Sequence, residues 1–130
     1  MTDLAELIQA LGHPTVVVVG DVMLDRYVFG SVSRISPEAP IPVLRASHTE
    51  LRPGGAASVA ADVVGLEATA RLVGFVGDDD GAQSLGDLLH RLGVEHLTLV
   101  EVPGRATTVK TRMVAGGTSH RNRQQLVRVD

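Results

Sequence analysis

The chain has 130 residues, which allow one domain at most, and 44% of them are hydrophobic, enough for a core that is almost entirely aliphatic. The absence of cysteine excludes disulfide bonds and thiolate metal sites and fits a reducing compartment. The net charge of −3 gives no reason to expect nucleic acid as a partner. The sequence has neither the basic start of a signal peptide nor an apolar run of roughly 18 residues. We therefore expect a cytoplasmic protein with no membrane association.

The first elements along the chain are a short helix and a valine-rich strand. Residues 4–11 have helical spacing, and the Gly-His-Pro that follows them ends the helix. The stretch "TVVVVGD", residues 15–21, predicts a parallel strand buried on both faces. Gly20 and Asp21 lie at its carboxyl end, where ligands bind in open α/β sheets, so this is the first candidate site.

Residues 26–52 differ in character because glycine and proline interrupt them. Two short β-prone pieces, 27–29 and 41–46, are separated by Gly30 and by prolines that no helix interior tolerates. We therefore expect an exposed β excursion, or flap, whose sheet is covered on one face only.

The rest of the chain alternates helices with strands and ends in a hairpin. Residues 51–55, "LRPGG", predict a turn that leads into a helix over 56–66. The buried strand "ARLVGFVGD" follows, then an amphipathic helix over 81–92, then the strand "EHLTLVEV". Residues 107–130 predict two strands joined by a polar loop.

This element order predicts an α/β fold with a central, mostly parallel sheet. A sheet of three or four strands leaves at least one edge and one face uncovered. We therefore expect the chain to be part of a domain and to form oligomers through an exposed sheet edge.

Two carboxylates are candidates for ligand contact after the first strand. Asp21 and Asp25 could accept hydrogen bonds from vicinal sugar hydroxyls. The alternative is a turn, in which an aspartate bonds to its own backbone. The spacing alone leaves both interpretations open.

Gly54 and Gly55 also allow two interpretations. They could let a ligand reach backbone N–H groups at the start of the next helix, or they could serve the conformation of a tight turn. Ser58, in the first turn of that helix, could contact a ligand or act as a helix-start residue. Neither a P-loop nor a G-x-G-x-x-G fingerprint is present.

The stretch "VGDDDG", residues 76–81, places three acids before a helix. Capping and helix-dipole stabilisation explain such acids better than metal binding does. The five histidines have no metal-ligand spacing, so no metal site is predicted.

Basic residues concentrate in the last hairpin. Lys110 and Arg112 are two apart on a predicted strand and therefore share a face. With Arg121, Arg123 and Arg128 they could hold an anionic ligand such as a sugar phosphate, or they could form a solvated face.

Read together, these segments resemble the N-terminal part of the ribokinase-family (PfkB) carbohydrate kinases over residues 15–130. The segments that carry the resemblance are "VVVGDVMLDRYVFGSVSRISPEAPIPVLR", "RPGGAASVAADVVGL", "ARLVGFVGDD" and "TTVKTRMVA…QQLVRVD". The piece "SRISPEAPIPV" is specific for the branch that phosphorylates D-glycero-β-D-manno-heptose 7-phosphate in ADP-heptose synthesis. The diglycine before a helix marks the broader family.

The resemblance implies a ribokinase-like fold with a small β lid formed by residues 26–52 and 107–130. In such kinases the lid closes on the sugar phosphate and often mediates dimerisation, so a homo-oligomer through the lid is a second possibility beside the sheet edge.

The resemblance also implies roles for individual residues. Asp25 matches the aspartate that binds sugar hydroxyls, with Asp21 as a second candidate. Gly54 and Gly55 match the diglycine that lets the sugar approach the backbone.

Three further positions follow from the resemblance. Lys110 and Arg112 match a basic strand that faces the substrate phosphate. Ser58 stands where the family usually has asparagine, whose side chain reaches farther and offers both a donor and an acceptor.

The family's catalytic motif, Gly-Ala-Gly-Asp, and its ATP-binding half have no counterpart in this sequence. The resemblance therefore implies the sugar-binding part of a kinase that uses ATP and Mg²⁺, with no catalytic residue in this chain, no cofactor bound by it alone and no activity in isolation. The alternative is a noncatalytic sugar-binding or dimerisation module.

Overall fold

The computed structural model describes residues 3–116 and 123–130. The helices are α1 (Leu4–Ala10), α2 (Ala56–Gly65) and α3 (Asp80–Arg91). The strands are β1 (Thr15–Val19), β2 (Val22–Ile35), β3 (Pro42–Gly55), β4 (Thr69–Val76), β5 (His96–Glu101), β6 (Val109–Ala115) and β7 (Gln124–Val129). The predicted helices and the α/β class are confirmed, and among the described helices none is long and apolar enough to cross a membrane.

Strands β1, β4 and β5 form a three-stranded parallel sheet with β4 in the centre. One face of this sheet packs against α2 and α3 through residues such as Val18 and Leu72. The prediction that β1 is buried on both faces is wrong, since Val17 and Val19 are 60% and 73% exposed on the opposite face. A run of valines is typical of a parallel strand, but none of the described residues covers this face of β1. A sheet of only three strands is expected to leave a face uncovered.

A second sheet of four strands has the order β3-β2-β6-β7. Strands β2 and β3 form one long antiparallel hairpin, β2 and β6 run parallel, and β6 and β7 are antiparallel. The predicted C-terminal pair of strands is confirmed, although its connecting loop lies outside the described residues.

The prediction of short, interrupted β pieces between residues 26 and 52 is wrong. Gly30 does not interrupt β2, which continues across a bulge at this residue. Glycine is needed there because a Cβ would collide with the carbonyl oxygen of Arg45 on β3. Pro42 is the first residue of β3, a position at which a strand accepts proline. The remaining prolines of the segment lie in the connection between β2 and β3.

The turn predicted at "LRPGG" is also absent. These residues form the last part of β3, where Pro53 lies opposite Leu24 and Gly54 lies opposite Met23. Proline is tolerated here because β3 is an edge strand of its sheet. The chain enters α2 directly from the strand at Gly55, whose φ is +58°.

One hydrophobic core joins the two sheets. Leu24 of β2 is fully buried in the same cluster as Leu72 of β4 and Leu85 of α3. The backbone N–H of Leu24 also donates to the carbonyl oxygen of Thr108, 2.9 Å away, just before β6. The base of the long hairpin is therefore anchored in the core, and its far end extends away from it.

Candidate functional site

Strand register gathers several of the predicted residues on one face of the four-stranded sheet, which we call the Asp25 face. Asp25 lies opposite Lys110 on β6, and Gly54 lies opposite Met23, two residues before Asp25. Because side chains alternate along a strand, Asp25, Gly54, Lys110 and Arg112 belong to the same face. The prediction that Lys110 and Arg112 share a face is confirmed.

Asp25 and Arg112 form an ion pair across β2 and β6. Nη1 of Arg112 donates to Oδ1 of Asp25 at 2.6 Å, and each side chain is only 18% exposed. The hydrogen bond to Asp25 raises the pKa of Arg112 above its ordinary value. The carboxylate that was predicted to meet sugar hydroxyls is therefore held by the arginine that was predicted to meet a phosphate.

Gly54 lacks a side chain where one would crowd this pair. A Cβ at position 54 would lie 2.7 Å from Cγ of Met23 and 3.1 Å from Oδ2 of Asp25. The glycine thus lets the side chains of Met23 and Asp25 pack directly against its backbone.

Gly55 and Asp21 meet at the start of α2. A Cβ on Gly55 would collide with the carbonyl oxygen of Asp21, and that oxygen accepts a hydrogen bond from the backbone N–H of Ala56 at 2.9 Å. Gly55 is thus needed for packing and for its positive φ, and the N–H of Ala56 is already bonded within the protein. The side chain of Asp21 extends from an exposed residue at this junction.

Ser58 is the third residue of α2 and is half-buried. It belongs to the first turn of a helix that follows Gly55 immediately. The structure thus places Ser58 next to the diglycine in the chain, whereas Asp25, Lys110 and Arg112 lie on the strands of the sheet.

Sequence reasoning missed an aromatic and charged cluster on the Asp25 face. The ring of Tyr27 lies 4.7 Å from Cζ of Arg52 and 5.1 Å from Cζ of Arg112. Phe29 stacks on His48 with 4.8 Å between ring centroids. The signal was present in the period-two spacing of positions 25, 27 and 29, but only a continuous strand makes that spacing meaningful.

Two of the three acids before α3 lie where capping and helix-dipole stabilisation are predicted, Asp79 at the N-cap and Asp80 in the first turn. Asp79 is the N-cap of α3, and its carboxylate accepts from the backbone N–H of Ala82 at 2.9 Å and of Thr107 at 2.8 Å. These hydrogen bonds, the one from the Thr107 backbone first, lower the pKa of Asp79. In the part of the chain that the structure describes, no group of three or more histidine or acidic side chains could hold a metal ion.

The sequence pattern of the pfkB family carbohydrate kinases matches residues 13–123, most of the chain. The chain belongs to this family. The parallel sheet with its helices and the β segments of this pfkB chain are the features that the resemblance implies.

Relatives of this pfkB chain include two proteins named bifunctional protein HldE. The one from Klebsiella pneumoniae is 50% identical over 115 residues, which cover 88% of this chain and 23% of the relative. The one from Koribacter versatilis is 43% identical over 133 residues, which cover 99% of this chain and 26% of the relative. The chain thus spans about a quarter of the length of these relatives.

Solved structures show the same fold at low sequence identity. A carbohydrate kinase from Agrobacterium tumefaciens superimposes with a TM-score of 0.68 at 17% identity, covering 89% of this chain and 34% of that one. Phosphofructokinase-2 from Escherichia coli in complex with fructose-6-phosphate has a TM-score of 0.63 at 20% identity, covering 88% and 35%. These likenesses establish the ribokinase-like fold of the pfkB chain.

Proposed function

We propose that this chain is the sugar-binding part of an ATP-dependent carbohydrate kinase that phosphorylates a heptose 7-phosphate on the way to ADP-heptose. The observation that carries the proposal is the 50% identity to bifunctional protein HldE over 88% of the chain. The resemblance of "SRISPEAPIPV" to the heptose kinase branch supports the same substrate.

That branch-specific segment occupies the far end of the long hairpin. Ile35 and Pro42 form its last register pair. Ile35 lies ten positions after Asp25 along β2, which is roughly 30 Å at the usual rise per residue. The heptose substrate is therefore inferred from the relatives, whereas the sugar contacts proposed below are inferred from residues at the base of the hairpin.

In this proposal Asp25 accepts hydrogen bonds from sugar hydroxyls. Its Oδ1 is occupied by Arg112, and its Oδ2, which lies against the backbone of Gly54, is the oxygen proposed to accept from a hydroxyl. A carboxylate held in one direction by an arginine loses less conformational freedom when it binds a ligand.

Lys110 and Arg112 are proposed to face the substrate phosphate. Lys110 lies opposite Asp25 on β6, on the same face and half-buried. A guanidinium has five N–H donors, so donation from Nη1 of Arg112 to Asp25 is compatible with a second bond to a phosphate oxygen.

Asp21, Gly55 and Ser58 are proposed to border the sugar where β3 enters α2. The carbonyl oxygen of Asp21 and the missing side chain of Gly55 already set the path of the chain there. The side chain of serine is shorter than that of the asparagine common at this position in the family. Its hydroxyl is therefore proposed to contact a group close to the helix start.

ATP with Mg²⁺ supplies the phosphoryl group in kinases of this kind. The described residues contain no acidic cluster fit to hold the metal, so no step through it is assigned to this chain. The chain's own contribution in the proposal is to bind and orient the acceptor sugar. We predict no phosphoryl transfer by residues 1–130 alone.

We further propose a homo-oligomer in the cytoplasm. The face of the four-stranded sheet opposite Asp25 carries an apolar groove lined by Val28, Leu44, Met113 and Val127, among others. Val127 is 49% exposed, and an exposed apolar groove supports a contact with a second copy of the chain. The cysteine-free sequence fits a reducing compartment.

Kinetics of the full-length protein test the proposed function. With heptose 7-phosphate and ATP we expect ADP release, and Asp25→Asn should lower kcat/KM by about 100-fold or more, because charge-assisted bonds to the sugar are lost. The matched control Asp62→Asn removes the same charge from the exposed side of α2 and should keep wild-type kinetics. Absence of turnover by the wild-type protein would refute the proposed substrate.

A further inference from the structure

Tyr27 stands between two arginines from neighbouring strands. Arg52 on β3 and Arg112 on β6 bring Cζ to 4.7 Å and 5.1 Å from the centroid of the ring, within the range of cation–π attraction. Tyr27 lies on β2 between those two strands and is half-buried. Neither this ring nor Arg52 is among the groups proposed to contact the sugar.

Each arginine beside the ring is paired with a carboxylate. Arg52 donates to Glu50 at 2.8 Å, and Arg112 donates to Asp25 at 2.6 Å. Two guanidinium groups near one ring would otherwise repel each other. The two carboxylates balance this repulsion, because each arginine that flanks the ring has a carboxylate partner.

Stacking restricts the guanidinium of Arg112. An arginine side chain loses considerable rotamer freedom when it is ordered, and a planar guanidinium on an aromatic face keeps a defined direction. Arg112 delivers Nη1 to Oδ1 of Asp25 from that stacked position. In this orientation of the carboxylate, Oδ2 lies against the backbone of Gly54.

We infer that Tyr27 is a positioning residue, which holds Arg112 against Asp25 and so directs the carboxylate toward the sugar hydroxyls. The inference rests on the proposed function for its substrate. A purely structural role would make the cluster only a cross-strand contact that stabilises the sheet.

Kinetics of the full-length protein with heptose 7-phosphate separate the two roles. Tyr27→Leu should raise KM for the sugar about tenfold with kcat within about twofold of wild type, and Tyr27→Phe, which keeps the ring face, should restore KM to within about twofold. In the Asp25→Asn background, Tyr27→Leu should lower kcat/KM no further, because the ring acts through the carboxylate. Phe75→Leu removes an aromatic ring that is 53% exposed on β4, in the other sheet, and should leave KM unchanged.

A stability cycle needs no substrate and keeps the inference testable if the proposed substrate is wrong. In urea unfolding of the same protein, the midpoint shifts of Tyr27→Leu and Arg112→Gln should be clearly non-additive, since both remove one stack. Additive shifts would overturn the inference. The inference would also be overturned if Tyr27→Leu had the KM of the wild type on a sugar that the wild type phosphorylates. Absence of turnover by the wild type itself would refute only the proposed function.

Discussion

Asp25 and Arg112 occupy the environment in which an ion pair has most influence on geometry. Exposed pairs contribute about 0.2–1 kcal/mol, whereas removal of one partner from a fully buried pair costs about 3–5 kcal/mol. With each side chain 18% exposed, this pair lies between those limits and remains accessible to a ligand from one side. Its main effect is therefore to fix the direction of a carboxylate.

Gly54→Ala tests that geometry at the scale of one methyl group. The new Cβ would lie 2.7 Å from Cγ of Met23 and 3.1 Å from Oδ2 of Asp25, so Met23 or the carboxylate must move. We expect about 1–3 kcal/mol of destabilisation in urea unfolding, as in other overpacked sites. If the carboxylate moves, KM for the sugar should also rise, by about tenfold.

Gly86→Ala is the matched control for this substitution. Gly86 lies inside α3, and a Cβ there would meet no heavy atom within 4 Å. Alanine is the better helix former by about 0.8–1 kcal/mol, so this variant should be more stable than the wild type, with unchanged KM. A Gly54→Ala protein as stable and as active as wild type would contradict the proposed crowding.

At the scale of elements, the helices could be predicted closely and the long hairpin could not. The helices are defined by local signals, an amphipathic period and a glycine after the last turn, as at Gly93 after α3. In the hairpin the local signal, proline, predicts an interruption that does not occur. Pro42 is the first residue of β3 and Pro53 lies within this edge strand, and both are positions where a sheet accepts proline. Those positions are set by the sheet as a whole.

The same reason limits what the sequence reveals of the candidate site. Asp25, Gly54 and Lys110 could be singled out from a family resemblance, and the side-chain period placed Lys110 and Arg112 on one face. The bond between Arg112 and Asp25 joins residues 87 positions apart, so only the parallel pairing of β2 with β6 reveals it. The link between Tyr27 and Asp25 is not predictable either, because the β-prone piece 27–29 does not include Asp25, whereas β2 begins at Val22.

Asp79 makes the stability of α3 depend on pH. Its folded-state pKa is lowered by bonds from Thr107 and Ala82, so the unfolded state binds the proton more readily. The cap is therefore fully stabilising above the unfolded pKa of about 3.9 and is lost as pH falls through the lower, folded pKa. The stability advantage of the wild type over Asp79→Asn should shrink in urea unfolding as pH falls below about 4.

Asp87→Asn is the control for this titration. It removes a carboxylate from the exposed side of the same helix and leaves the N-cap in place. Asparagine at position 79 can still cap a helix, so the comparison isolates the charge from the geometry. A difference between wild type and Asp79→Asn that stays constant from pH 7 to pH 3 would contradict the assignment.

At the scale of the molecule, the two sheets share one core instead of forming independent units. Val22 and Leu24 of β2 belong to the cluster that contains Leu72 of β4 and Leu89 of α3. Among the residues that the structure describes, none anchors the far end of the hairpin in this core, and Ile35 is 60% exposed. The four-stranded sheet is thus held at its base, and we expect it to unfold together with the parallel sheet.

Leu24→Ala tests this coupling, because the leucine is fully buried where the sheets meet. We expect a loss of about 2–5 kcal/mol in urea unfolding, against less than about 0.5 kcal/mol for Leu66→Ala, whose leucine is 82% exposed. In a protein of residues 1–130, Tyr27 is the sole tyrosine and tryptophan is absent, so its emission reports on the four-stranded sheet while circular dichroism reports on the helices. Both signals should shift to the same lower midpoint, since one cooperative core yields coincident transitions. Emission that changes at a lower urea concentration than the helical signal would mean that the four-stranded sheet unfolds by itself.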